Sequence, residues 1–281
     1  MKILITGGNG QLGQEMQHLL DQRGITDYEA ADVEKLDITD EASVEAYFAE
    51  NKPEVVYHCA AYTAVDKAEG EGKAVNEAVN ATGTEIVAKA CAKYDALLVY
   101  ISTDYVFDGS RTEGEYMPDD PTGPRNEYGR TKLLGEQAVK KYCQKYYIVR
   151  TAWVYGKYGH NFVYTMLNLA KNHDKLTVVS DQVGRPTWTK TLAEFITYLV
   201  DNKIAYGTYH CSNDGTCSWY EFAKEILKDK DVEVLPVSSD EYPTAAFRPH
   251  YSVMHLAKET GFEFPMWQDA LHEFMAEIGE R

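Results

Sequence analysis

A short apolar run, Ile3-Leu4-Ile5-Thr6, breaks directly into Gly7-Gly8-Asn9-Gly10-Gln11-Leu12-Gly13, and helical spacing through Leu12, Met16, Leu19 and Leu20 follows at once. A strand that ends in glycines and turns straight into a helix leaves few folds open. Gly7 can supply the tight turn, Gly10 lets backbone approach a pyrophosphate, and Gly13 lets the helix pack close to the strand. The first turn of that helix then offers unpaired N–H groups to an anion. The spacing is GxxGxxG rather than GxGxxG, so a plain strand-to-helix turn stays open on this motif alone.

The rest of the first half repeats the alternation. Strands are predicted at 2–6, 28–33, 55–59, 97–102 and 147–151, and helices at 12–23, 42–50 (with Asp40 as its cap), 73–93 and 128–144. This pattern predicts an α/β fold, a doubly wound parallel sheet with right-handed crossovers. After about residue 152 the pattern loosens into possible strands at 176–179 and 208–211 and helices at 161–171, 189–201 and 219–228, with charge and proline rising over 229–249. We read 1–152 as a dinucleotide-binding Rossmann domain to which later segments return. Residues 153–281 then form mainly a smaller C-terminal substrate-binding lobe.

Bulk properties exclude several functions. The net charge of −16 argues against a nucleic-acid partner, which needs a basic footprint. No apolar run is long enough for a membrane span, and no cleavage site follows the first strand, so a cytoplasmic protein is expected. The five cysteines are scattered, with no CxxC pair and no histidines at zinc spacing, and read as buried thiols.

Within the expected fold, Asp32 stands at the end of the second strand, where an acid meets the adenosine ribose hydroxyls and favours NAD; a surface Asp capping a turn is the alternative. Asp37 and Ile38 are candidates to lie under the adenine. The small residues of Ala60-Ala61-Tyr62-Thr63, after the third strand, fit a cofactor-lining turn. On these residues NADH and NADPH both remain open.

The chemistry is concentrated in Tyr128-Gly129-Arg130-Thr131-Lys132. Residues four apart share a helical face, which sets the Lys132 ammonium beside the Tyr128 phenol. A free phenol titrates near 10, and a neighbouring cation is expected to bring it towards the working range. The strand before it ends in Ser102-Thr103-Asp104-Tyr105, whose hydroxyls emerge at the carboxyl end of a central strand, where open α/β sheets bind ligands.

Taken together, these motifs resemble the extended short-chain dehydrogenase/reductase family, and within it the reductases of dTDP-linked keto-deoxysugars. The resemblance covers nearly the whole chain. It is carried by GGNGQLG at 7–13, AAYTAVDKAE at 60–69, STDYVFDG at 102–109, YGRTKLLGE at 128–136, RTAWVYG at 150–156, NF at 161–162, DQVGRPTW at 181–188 and RPHYS at 248–252. It implies reduction of the C4 keto group of dTDP-4-dehydro-6-deoxy-L-mannose to dTDP-L-rhamnose, with NADPH as cofactor and NADH as a possible second one. Tyr128 would protonate the C4 oxygen, and Lys132 would hold the nicotinamide ribose. Thr103 and Asp104 would bond the sugar near C4, and Trp153 would pack against it. Gly7, Gly10, Gln11, Leu12, Gly13, Asp32, Asp37, Ile38, Ala60, Ala61, Tyr62, Thr63 and Ile101 would line the cofactor. Phe162 would stack on the base, while Arg185 and Arg248 would pair with phosphate.

Some members of the family hold Mg²⁺ at a dimer contact through acidic side chains. Glu15 stands at one such position, but Lys190 occupies another, so no metal is expected and a monomer or a homodimer both stay open. Two other readings compete. An epimerase or dehydratase of the same superfamily would retain NAD, but Asp104-Tyr105 lacks the Asp-Glu pair of dehydratases. A non-catalytic subunit, similar to the regulatory subunit of methionine adenosyltransferase, would have no use for the intact Thr103, Tyr128 and Lys132.

Overall fold

Strict alternation of buried side chains along the first strand organises the molecule: Ile3 and Ile5 point to one layer of helices and Leu4 to the other. The structure is a computed structural model and describes residues 1–280. The first half contributes β1 (Ile3–Thr6), β2 (Tyr28–Ala31), β3 (Val55–His58), β4 (Leu97–Thr103) and β5 (Tyr146–Thr151). The second half adds β6 (Val154–Tyr155), β7 (Lys175–Val179), β8 (Val183–Gly184), β9 (Thr187–Trp188), β10 (Gly207–His210), β11 (Cys217–Ser218) and β12 (Glu233–Val237). A six-stranded parallel sheet runs in the order β10-β5-β4-β3-β1-β2. The strand order reverses between β1 and β3, and a crevice opens beyond the carboxyl ends at such a reversal.

The helices are α1 (Gln11–Gln22), α2 (Glu41–Asn51), α3 (Val65–Ala68), α4 (Lys73–Glu77), α5 (Thr84–Lys93), α6 (Glu127–Tyr142), α7 (Phe162–Leu169), α8 (Thr189–Asp201), α9 (Trp219–Ile226) and α10 (Trp267–Glu277). On one face of the sheet, Met16, Leu19 and Leu20 of α1 pack with Leu192, Phe195, Ile196 and Leu199 of α8. On the other, Val44 and Phe48 of α2 pack with Val87 and Cys91 of α5 and Val139 of α6. Thus α8 and β10, though late in the chain, belong to the sheet-centred body. A third core around Trp188, Phe222, Trp267 and Phe274 holds the remaining lobe together.

One expectation needs correction, and one segment without a predicted element gains a strand. The segment 73–93 is not one helix, because Ala78–Gly83 is wound as a π-helix between α4 and α5. The proline-rich stretch 229–249 contains β12, which pairs in parallel with β7 despite Pro236. Proline lacks the N–H for a ladder, and an edge position tolerates that loss.

Candidate active site

The cofactor side is shaped by backbone. Gly7 has φ +67°, and a Cβ on it would lie 2.7 Å from the backbone N and Cα of Ala60, so the loops after β1 and β3 touch main chain to main chain. A Cβ on Gly13 would stand 2.2 Å from the Gly7 carbonyl oxygen. Gly10 caps α1 without any side-chain bond, which leaves the first-turn amides open to an anion. The cradle that these missing Cβ atoms create fits a pyrophosphate. Asp32 braces it, accepting from the Asn9 amide at 3.0 Å and from the Val33 amide at 2.9 Å.

Further along the crevice, Asp37 accepts from the Thr39 amide and hydroxyl, and these bonds hold its carboxyl below the usual range. Ile38 is buried in the core of the α2 face, against Gly83. Ala60, Ala61 and Tyr62 are half-buried, Thr63 is exposed, and Ile101 of β4 is half-buried against the α1 core. Asn80 pins this turn, accepting from the Tyr62 amide at 2.9 Å and donating to the Tyr62 carbonyl at 3.0 Å. Asn80 was not singled out from sequence. It lies in the π-helical segment, where π turns frequently mark functional positions.

At the carboxyl end of β4, the Thr103 hydroxyl donates to Asp104 Oδ1 at 3.0 Å and accepts from the Tyr105 amide at 3.2 Å. Asn126 caps α6, accepting from the Gly129 amide at 2.7 Å. A Cβ on Gly129 would clash with the Tyr105 carbonyl at 2.2 Å, so only glycine lets α6 come this close. That approach sets the Tyr128 ring edge-on to Tyr105, with centroids 6.1 Å apart, and near enough to Thr103 for that side chain to favour the phenolate. Lys132, one turn on and buried, rests its ammonium 4.2 Å from the centroid of the Tyr100 ring.

The electrostatics differ from the simple expectation for this pair. Burial, and then the Asp104 carboxylate, push the Tyr128 phenol well above its ordinary value, while the Thr103 bond opposes them. Lys132 is not what sets the phenol here. Its own ammonium is brought down to about 7 by burial, against the pull of Glu136 and Cys59. Asp104 is pushed up to about 6 by burial, opposed by the Ser252 and Thr103 hydroxyls. A phenol that keeps its proton suits a donor to a ketone better than a base.

Beneath this group lies a buried network that sequence reasoning missed. Glu136, on the same face of α6 as Tyr128 and Lys132, accepts from Ser102 at 2.6 Å and from Arg150 Nε and Nη2 at 2.8 and 2.7 Å. The paired-fork geometry ties α6 to the ends of β4 and β5.

The second lobe contributes aromatics. Trp153 has φ +50°, rare for a bulky residue, and stacks on Trp219 with ring centroids 3.7 Å apart and planes 13° apart. Trp219 in turn meets Phe162 at 4.6 Å. Trp219, also missed, therefore sits between the two aromatics expected to meet the sugar and the base.

The two arginines differ. Arg185 is buried and committed to Glu115 Oε1 at 2.7 Å, to the Gly215 carbonyl at 3.2 Å and to the Met254 carbonyl. Each of its three nitrogens has an internal acceptor, so these bonds tie together the segments around 115, 215 and 254. Arg248 is half-buried, bonds Asp66 at 2.7 Å through Nη2, and leaves Nη1 without a partner. Away from the crevice, Glu15 is buried and accepts from the Thr189 hydroxyl at 2.9 Å, while Lys190 pairs with Glu273 at 2.6 Å.

Residues 1–279 match the family described as RmlD substrate binding domain. A dTDP-4-dehydrorhamnose reductase from Clostridium acetobutylicum has a similar structure, with TM-score 0.95, 47% identity and coverage of 99% of this chain and 100% of its own. The dTDP-4-dehydrorhamnose reductase of Bacillus anthracis, solved in complex with NADP, aligns with TM-score 0.93 and 44% identity over 99% of this chain and 100% of that one. The chain belongs to the dTDP-4-dehydrorhamnose reductase family. Among this family's relatives, the spore coat polysaccharide biosynthesis protein SpsK of Bacillus subtilis is 42% identical over 98% of this chain and 97% of its own length. As a member of the family, the chain is an NAD(P)-dependent oxidoreductase on the Rossmann fold. No described helix is long and apolar enough to cross a membrane.

Proposed function

We propose that this family member reduces the C4 ketone of dTDP-4-dehydro-6-deoxy-L-mannose to dTDP-L-rhamnose, with NADPH as the preferred cofactor and NADH accepted beside it. The observation that carries the reading is the grouping of Tyr128 with Thr103 and Asp104 at the carboxyl end of β4, one helical turn from buried Lys132. When bound, NADPH supplies the hydride that forms the new C–H bond at sugar C4. Tyr128 gives its phenolic proton to the carbonyl oxygen as that bond forms, so ketone and proton together become an alcohol. Thr103 orients the phenol and, with its one proton donated to Asp104, meets the sugar near C4 as an acceptor. Asp104 holds the Thr103 hydroxyl in place. Lys132 holds the nicotinamide ribose and carries positive charge towards the developing oxyanion.

In the same reading, Gly7, Gly10, Gln11, Leu12 and Gly13 seat the pyrophosphate, and Asp32 faces the adenosine ribose. Trp153, Phe162 and Trp219 bound the space for sugar and base, and Arg248, with one free nitrogen, is the candidate for a phosphate.

The test is NADPH and NADH oxidation with dTDP-4-dehydrorhamnose generated in situ. Wild type is expected to turn over, and Tyr128→Phe to lose about a hundredfold or more in kcat while still binding NADPH. A folded wild type that binds NADPH but oxidises none with this substrate would overturn the reading.

A further inference from the structure

Gln11 is the first residue of α1, so its backbone belongs to the open first turn, while its side chain bonds residues that flank the aromatics of the second lobe. Its Oε1 accepts from Asn161 Nδ2 at 3.0 Å, and its Nε2 reaches the Val154 carbonyl at 3.5 Å. Val154 directly follows Trp153, and Asn161 directly precedes Phe162. One side chain therefore holds both ends of the segment 154–161 that joins the two aromatics of the substrate lobe. That segment bends back over its holder, since a Cβ on Gly159 (φ +70°) would lie 3.6 Å from Gln11 Cβ.

Asn161 has no capacity to spare. It is buried; its Nδ2 also donates to the Gly156 carbonyl at 2.8 Å, and its Oδ1 caps α7 by accepting from the Tyr164 amide at 3.2 Å. One turn further along the same face of α1, Glu15 accepts from Thr189 at the start of α8. The helix that begins at the anion cradle is thus braced against α8 within its own body, and Gln11 is the side chain by which it reaches the segment between the two aromatics.

We infer that Asn161 is a positioning residue that couples the cofactor site to the substrate lobe through Gln11. An anion seated on the first-turn amides fixes that turn and hence the direction of the Gln11 side chain. The staple then holds Trp153 and Phe162 at the spacing that the nucleotide needs. With the cradle empty, the ordering of 154–161 is charged against nucleotide binding instead. Two ligands that share one ordering step bind with positive cooperativity, and each strengthens the other by the same factor.

This inference rests on the proposed function for the cradle as the cofactor site, for Trp153 and Phe162 as the nucleotide-sugar side, and for dTDP as the probe. Calorimetric titration of dTDP into the full chain, with and without saturating NADP⁺, measures the coupling directly. Wild type is expected to bind dTDP about fivefold or more tightly when NADP⁺ is present. Asn161→Ser keeps a capping hydroxyl for α7 but is too short to reach Gln11, and it is expected to bring that ratio to about one. Gln11→Ala is expected to do the same, and the double variant to lose nothing more, because both remove one interaction.

A merely structural role for Asn161 would weaken dTDP equally in both titrations and leave the ratio intact, which would overturn the inference. So would wild type that binds dTDP with no response to NADP⁺. Wild type that binds no dTDP in either titration would remove the proposed function along with the inference, so the two failures are distinguishable.

Discussion

Around Gly7 and Gly13 the chain obtains its shape by leaving side chains out, and around Trp153 it does so by crowding them in. On the cofactor side, two loops approach so closely that a single methyl would overlap backbone atoms, and the binding groups are main-chain amides. On the substrate side, Trp153, Trp219 and Phe162 form one stack, with Trp153 held at a positive φ that its packing must sustain. The first construction tolerates no added side chain at Gly7 or Gly13, and its glycines announce themselves within one short motif although Gly7 meets Ala60 from another loop. The second needs partners brought from three separate elements, and it grades its losses with the size of the group removed.

The contrast can be broken at its strongest point first. Gly13→Ala places a Cβ against the Gly7 carbonyl, where no flexible side chain can yield, and is expected to weaken NADPH binding by about a hundredfold or to prevent folding. Near-normal NADPH affinity in a fluorescence titration of this variant would mean the cradle is not rigid backbone after all. A second prediction probes Lys132, the cation proposed to hold the nicotinamide ribose. With the Lys132 ammonium at about 7, the cofactor-free chain loses this positive charge as pH rises through that value. NADPH affinity is expected to fall by up to about tenfold per pH unit above it, and Lys132→Met to lose the slope. A wild-type affinity that stays level up to pH 9 would remove the ammonium from cofactor binding. The substrate side should respond more gently still. Trp219→Ala opens one face of Trp153 and is expected to raise KM for the dTDP-sugar about fivefold with NADPH affinity unchanged. An equal loss for both ligands would dissolve the distinction between the two halves.

The same contrast explains what could be read in advance. Glycine spacing, the alternation of strands and helices and the Tyr128–Lys132 step are local patterns whose consequences follow from sterics and helical period alone, and they lead to the sheet, its switch point and the placing of Tyr128 and Lys132 one turn apart on α6. Trp219 could not be reached in this way, because nothing near it in sequence points to Trp153. The partners of Arg185 were equally out of reach, since Glu115 and the carbonyls of Gly215 and Met254 come from segments distant in sequence. Glu136 looked like any helical acid until Ser102 and Arg150 converged on it. The high phenol of Tyr128 was hidden for a related reason, since burial and a neighbouring carboxylate are properties of the assembled site.

The π-helical segment Ala78–Gly83 carries a consequence for how this chain can vary in length. A π turn is an α-helix with one residue too many, so this stretch is a place where a one-residue deletion would relieve the helix rather than break it. The ladder from α4 to α5 would run on as regular α-helix, with the cores on either side nearly undisturbed. What such a deletion would forfeit is the aim of Asn80, turned about 100° around the helix axis and away from the Tyr62 backbone. A shortened variant would therefore melt like the parent and yet hold its nucleotide poorly, separating in one step what keeps the protein folded from what keeps it useful.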